Sequence, residues 1–312
     1  MMGHSHGISW TKQRQDELLK LLVWGMTATE CAEILTDKWG INVTTRAVDN
    51  ARHTHNITKY LLEIDKNIKV YDREIRLPMG NYVVSCDAHA PYHSEPWVNR
   101  KLIISERLGI TEHVIAGDLF DMGFAKWSKF KMMEDKGERD NTLDEERDAC
   151  QRIMDAYDYY LHNYLECGNH EARPVTMTDG KIQARHIIEL MGENKYHDKW
   201  TVSVYDKLFI GDDFMVVHPK SYSQISGSTA VRLAEKSHRH VLNAHGHFIA
   251  LRYDRSGTFM AADIGGMFDV NKIDYICKKT TTHPRWNNGF AMILDGDLEI
   301  VHEGNLKFWG LK

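Results

Sequence analysis

No two of the five cysteines form a CxxC pair: Cys31, Cys86, Cys150, Cys167 and Cys277 are scattered along 312 residues. That argues against a thiolate zinc site and a disulfide framework, and for a reducing cytosol. No apolar run approaches the length of a bilayer span, and no segment reads as a secretory signal. The expected location is therefore the cytoplasm, that of a host if the chain is phage-encoded. A strong charge of one sign is also lacking. The formal net charge of −5 predicts no nucleic-acid partner and excludes none, because a local patch can bind within an acidic whole. Histidine, in contrast, is plentiful at 18 residues, and it is the commonest metal ligand. With 42% hydrophobic and 27% charged residues, the chain suits one large domain plus a small one, or two of moderate size.

Residues 1–8, with His4 and His6, read as a flexible end. Residues 9–62 carry a helical pattern. "TKQRQDELLKLLVWG" spaces Leu18, Leu19, Leu21 and Leu22 for a helix and ends at Gly25. "TATECAEILTDKWG" places Glu30 three residues after Thr27, as a capping box does, and ends at Gly40. "TTRAVDNARHTHN" follows, with Thr44 or Thr45 as its N-cap. Three short helices with a glycine-containing turn between them resemble a helix-turn-helix module. On that resemblance the third helix would read nucleic acid through Arg46, Asn50, Arg52 and His53. A small bundle for protein contact is the other reading. Residues 1–70 hold nine Lys+Arg against eight Asp+Glu, so no basic stripe decides between them. Residues 63–80 read as a linker, and 81–312 as the main domain.

After Asn81, short apolar runs each end in polar residues: "YVVSCDAH", "HVIAGDLFD", "YLECGNHE", "DFMVVHP" and "HVLNAHGH". Strands alternating with helical stretches predict an α/β sheet whose strand ends carry the chemistry. Those ends supply Asp87 and His89, Asp118 and Asp121, Asn169 and His170, His218, and finally His245 and His247. All are carboxylates, imidazoles or an amide. Oxygen and nitrogen donors without thiolate suit Mn²⁺, Fe, Zn²⁺ or Ni²⁺. So many donors exceed one tetrahedral ion and suit two, which at roughly 3.5–4 Å apart can clamp both oxygens of a phosphoryl displacement.

In order and spacing, "DAH" at 87–89, "GDLFD" at 117–121, "GNHE" at 168–171, His218 and "AHGH" at 244–247 resemble the motifs of the calcineurin-like metallophosphoesterases. The match spans most of residues 81–250, with Ala244 standing where that family usually has Gly. The resemblance implies a four-layer αββα sandwich preceded by the small three-helix domain. It implies two divalent metal ions, Mn²⁺ foremost. Asp87, His89, Asp118 and His247 would hold the first; Asp118, Asn169, His218 and His245 would hold the second, with Asp118 bridging. A hydroxide between the ions would be the nucleophile. His170 would donate to a substrate oxygen or the leaving group, oriented by Asp121. Gly168 would let the chain turn between these groups.

Family resemblance does not fix the ester. The helical module favours a phosphodiesterase or nuclease on nucleic acid. A phosphomonoesterase resembling the Ser/Thr protein phosphatases is the alternative, but Met122 occupies the place of their phosphate-gripping Arg. Arg173 could replace that grip, and Lys220 could meet substrate phosphate. A catalytically silent interaction module is the third reading. The stretch at 132–160 reads as a solvated outer helix rather than a lid over the site, with Phe124, Trp127 and Phe130 packing against it rather than stacking on a base. Residues 250–312 alternate like strands completing a second sheet, and Trp286 reads as a surface residue.

Overall fold

A computed structural model of the chain describes residues 8–23, 26–55, 74–125, 142–192, 194–273 and 286–311. The expected flexible end, Trp127, Phe130, Cys277 and much of the expected linker lie outside them. The chain divides into two compact units, Met1–Arg73 and Glu74–Lys312.

The first unit holds α1 (Lys12–Val23), α2 (Ala28–Trp39) and α3 (Thr45–Thr54). The start of α2 is fixed by a reciprocal cap: Glu30 N donates to Thr27 Oγ1, and Thr27 N to Glu30 Oε2 at 2.7 Å. Gly40 ends it at φ +61°, a conformation glycine adopts without steric cost. The turn onward is pinned by Val43 N donating to Thr36 Oγ1 at 2.9 Å. Thr44, rather than Thr45, caps α3. Leu18, Cys31, Ala32, Leu35, Val43, Val48 and Ala51 form the buried core of this unit.

Two six-stranded mixed sheets build the second unit. One runs β12-β11-β2-β3-β4-β5; the other runs β1-β6-β7-β8-β10-β9. In the first, β2 (Tyr82–Ser85), β3 (Glu112–Ala116), β4 (His162–Glu166) and β5 (Trp200–Ser203) are parallel, and β11 (Gly289–Leu294) and β12 (Asp297–His302) add antiparallel strands. The second has β7 (Phe214–Val217), β8 (His240–Asn243) and β10 (Met260–Ile264) parallel. β6 (Lys207–Ile210) and β9 (Ile249–Tyr253) run antiparallel to their neighbours β7 and β10.

Successive side chains on a strand point to opposite faces, and both faces are covered here. Val84, Val114, Val216 and Leu242 meet between the sheets. Val83, Ile115 and Leu165 point outward, onto α4 (Glu95–Leu108), α5 (Leu143–Ala156) and α7 (Ile187–Met191), with the short α6 (Ala172–Met177) between the last two in the chain. Met215, Val217 and Val241 point outward on the other side, onto α8 (Ser228–Ser237). The layering is helix, sheet, sheet, helix. Double-sided burial is why these strands read as continuous apolar runs rather than alternating ones.

Three expectations are corrected. Residues 74–80 are not linker: β1 (Arg76–Leu77) pairs parallel with β6 as an edge strand, too short for any periodicity to reveal. The strands after residue 249 do not complete one sheet; β9 and β10 join one and β11 and β12 the other. Finally, the five motif-bearing strands do not share a sheet. β2, β3 and β4 belong to one and β7 and β8 to its partner, so the site gathers where the carboxyl ends of both meet. Of the stretch at 132–160, residues 132–141 lie outside the described residues, and Leu143–Ala156 form α5, which buries Ala149, Cys150, Ile153 and Met154 on one face. No helix among the described residues is long and apolar enough to cross a membrane.

Candidate metal centre

Past the last residue of β2 and β3 the two chains keep hydrogen-bonding. Asp87 N donates to Gly117 O and His89 N to Asp118 O, each at 3.0 Å. This lateral lock brings the first two motifs together. Glu171 then ties in the third: its carboxylate accepts from Asp118 N (2.9 Å), Gly168 N (3.0 Å) and Phe120 N (3.0 Å). Burial, then the Asp118 charge, push this carboxyl up to about 7 against those donors. Gly168 is needed for contact, not for turning. Its φ is ordinary, and a β-carbon there would overlap the Asp118 carboxylate. Gly117 combines both demands, at φ +72° with His218 Nδ1 against the position of a β-carbon.

The candidate ligands sit on a strained backbone. Asp87, His89, Asp118, His245 and His247 all have φ between +49° and +70°. Left-handed residues other than glycine cost about 1–3 kcal/mol each and collect at functional sites. Asp and His tolerate the region better than branched residues do.

Asp87, His89, Asp118, His218 and His247 are buried, His245 is half-buried and Asn169 is exposed. Three groups hold donor atoms within 4.8 Å of one another: Asp87, His89 and His247; His89, Asp118 and His170; and Asp118, His218 and His245. The two carboxylates have only imidazoles as ion-pair partners among the described residues. His247 Nε2 lies 2.9 Å from Asp87 Oδ1, and His218 Nε2 3.3 Å from Asp118 Oδ2. Burial disfavours the Asp87 charge, but His247 outweighs it and holds that carboxyl at about 2. Asp118 is likewise held well below the usual range, against burial, by His170 and His218. Reciprocally, Asp118 overcomes burial to push His218 up to about 10. Burial and then the His218 charge push His245 down to about 4. Burial and then His170 lower His89.

The donor set fits divalent cations. His218 Nδ1 donates to Ala116 O at 2.9 Å, which aims Nε2 at Asn169 Oδ1, 3.2 Å away, and at Asp118. A backbone carbonyl holding the far nitrogen is the usual support of a metal-binding imidazole. His89 Nε2 and His247 Nε2 face each other at 3.4 Å, and His247 Nδ1 is buried without a partner among the described residues. Acceptors converging on common points are satisfied by a proton or by a metal ion.

His170 falls within the same distance range as the ligands, yet both its nitrogens are engaged. Nδ1 donates to Asp121 O at 2.8 Å and lies 3.2 Å from Asp121 Oδ1, while Arg173 donates to Nε2 at 2.8 Å. A guanidinium on Nε2 leaves no lone pair there for an ion. Asp118 and Asp121 overcome burial to raise the His170 pKa. Asp121 also reaches His89 Nδ1 at 3.4 Å, so it orients two imidazoles where the sequence suggested one. Burial opposes its charge, and both histidines more than offset that and lower its pKa.

A cavity of about 770 Å³ opens beside Asn169, His218 and His245, with Arg173 and Lys220 in its walls. Arg173 does not project freely into it, because its other terminal nitrogen donates to Asp121 O at 2.7 Å. Met122 is fully buried in the core, so its side chain is turned away from any substrate. Cys86 is buried with Sγ 3.1 Å from Gly265 O, whereas Cys167 is half-buried and lines the cavity. Trp286, expected at the surface, belongs instead to this neighbourhood. It is half-buried, with its ring centroid 4.3 Å from that of His247 and 5.3 Å from that of Phe268. A contact spanning 39 residues leaves no local signal.

On α3, Arg46, Asn50 and His53 are exposed at successive turns of one face, opposite buried Val48 and Ala51. Arg52 is half-buried and pairs with Asp49 at 3.8 Å.

Comparison of the chain with family models and with curated proteins finds no match.

Proposed function

We propose that the chain is a divalent-metal-dependent phosphoester hydrolase of the calcineurin-like kind, acting as a phosphodiesterase or nuclease. One observation carries this reading: side chains from residue 87 to residue 247 converge from two sheets into one buried cluster of metal-type donors. Asp87, His89, Asp118 and His247 would hold one ion. Asp118, Asn169, His218 and His245 would hold another, Mn²⁺ for preference, with Fe, Zn²⁺ or Ni²⁺ also fitting such donors. When bound, such ions activate water near neutral pH and offset negative charge on a phosphoryl group.

The protein's own part is positioning and proton transfer. Asp118 would bridge the two ions, since its carboxylate groups with His89 on one side and with His218 and His245 on the other, and His170 N donates to its Oδ1 at 2.9 Å. Asp121 fixes the His170 tautomer through Nδ1, so Nε2 is the atom that would serve a leaving oxygen. Arg173 donates to that atom in the neutral ring and would turn to a substrate oxygen on binding, which frees Nε2 to take up the proton that it then gives to the leaving oxygen. Lys220 adds a second cation at the cavity wall.

Arg173 also favours a second reading, a phosphomonoesterase, since a guanidinium suits a terminal phosphate. Its engagement with His170 and Asp121, and the burial of Met122, rank that reading lower. Nucleic acid is the proposed partner of the first unit through Arg46, Asn50, His53 and, less directly, Arg52. The test is hydrolysis of bis-p-nitrophenyl phosphate and p-nitrophenyl phosphate with Mn²⁺ and with EDTA. The diester is expected to be the better substrate, in Mn²⁺ only. A strong monoester preference would reverse the ranking, and turnover unaffected by EDTA would remove the metal mechanism.

A further inference from the structure

The loop at 219–227 leaves β7 directly after the ligand His218 and ends at the first turn of α8. It carries Tyr222, half exposed at 51%, with its ring 5.3 Å from that of His245 and 76° from coplanar. Burial does not explain a tyrosine left this open. No hydrogen bond among the described residues engages its hydroxyl. The loop itself is firmly pinned. Ser223 N donates to Thr229 Oγ1 (3.1 Å), Ile225 N to Ser223 Oγ (3.1 Å), Ser226 Oγ to Ile249 O (3.3 Å) and Gly227 N to the buried Asp263. The ring is thus held out next to a candidate ligand by a preorganised support, which lowers the entropy cost of binding against it.

Arg173 and Lys220 line the adjacent cavity, whose volume of about 770 Å³ lies in the usual range for ligand sites. His245 lines that cavity together with the two cations and packs against the open Tyr222 ring, and cations for phosphate near an open aromatic ring match the chemistry of an unstacked nucleotide. Aromatic rings stack any base whose face is free, whereas a duplex keeps its bases stacked on one another.

We propose that Tyr222 is a nucleobase-stacking platform, and that the centre takes single-stranded nucleic acid, with a base on Tyr222 and the flanking phosphates toward Lys220 and Arg173. This rests on the phosphodiesterase reading and names its substrate. It makes Tyr222 a specificity residue rather than a catalytic one.

The test is fluorescence anisotropy of the full chain with a short oligo-dT and with an abasic oligonucleotide of equal length and charge, in EDTA so that neither strand is cut. Loss of the ions affects both strands alike and leaves their ratio interpretable. Stacking is worth about 1–3 kcal/mol per base, so oligo-dT should bind roughly 5- to 150-fold more tightly than the abasic strand. Tyr222→Ala should erase that ratio and Tyr222→Phe should keep it. Lys220→Ala should weaken both strands alike and lower the salt dependence by about 0.7 in slope. Equal binding of the two strands by the unaltered chain, or a ratio that survives Tyr222→Ala, would overturn the proposal. Mn²⁺-dependent cleavage of bis-p-nitrophenyl phosphate, measured alongside, separates the two claims. Cleavage without base discrimination discards the platform and keeps the diesterase reading, and no cleavage discards both.

Discussion

Asp118 is where most contacts of the centre meet: its carboxylate faces His218 and His170, and its backbone is held by Glu171 and His89. Asp118→Asn keeps the shape and removes the charge. Bound Mn²⁺, counted by metal analysis of the dialysed protein, is expected to fall, and hydrolysis to fall by at least about 100-fold with it. His170→Ala should behave differently. Removing a general acid costs about 10²–10⁴ in rate, while the metal content should stay as it was, because neither ring nitrogen is presented to an ion. A variant that loses metal would instead make His170 a ligand. Glu171 was legible as part of a motif, but its work was not. A carboxylate collecting three backbone N–H groups can be recognised only once the loops are in place. Glu171→Gln leaves one acceptor atom for those donors, and a denaturation midpoint should report a loss of about 1–3 kcal/mol.

Among the elements, β2, β3, β4, β7 and β8 could be read directly because each is buried on both faces and runs into a polar site residue just past its end. Their division between two sheets could not, since strand pairing is non-local and leaves no trace in either partner's sequence. Helix α4 hides a comparable surprise. Lys101 looks like an ordinary surface residue of a helix, yet it is fully buried. Its Nζ lies 3.6 Å from the Tyr157 ring centroid, 2.8 Å from His113 Nε2 and 3.2 Å from Ser85 Oγ. No carboxylate pairs with it among the described residues, and burial holds its pKa well below the ordinary 10.5. The folded state therefore sheds a proton that the unfolded chain keeps. Stability from this group is fully present above 10.5, and it is lost as pH falls toward the depressed folded value. Relative to Lys101→Met, the unaltered chain should gain stability from about pH 7 to about pH 10, by no more than about 1.4 kcal/mol per pH unit. Urea titrations at several pH values measure this, and a pH-independent difference would contradict it.

For the whole molecule, each unit has its own core. If the helical unit recruits nucleic acid, removing residues 1–73 should leave Mn²⁺-dependent diester turnover intact and weaken binding of long DNA, as a gel-shift titration would show. Equal DNA binding after the deletion would return α3 to a protein-contact role. The larger claim concerns the cage of donors at the sheet ends. Crystals grown with Mn²⁺ and measured by anomalous scattering test it most directly. Two manganese peaks are expected, one among Asp87, His89, Asp118 and His247 and one among Asp118, Asn169, His218 and His245. A well-ordered centre with no anomalous peak at these side chains would contradict the account.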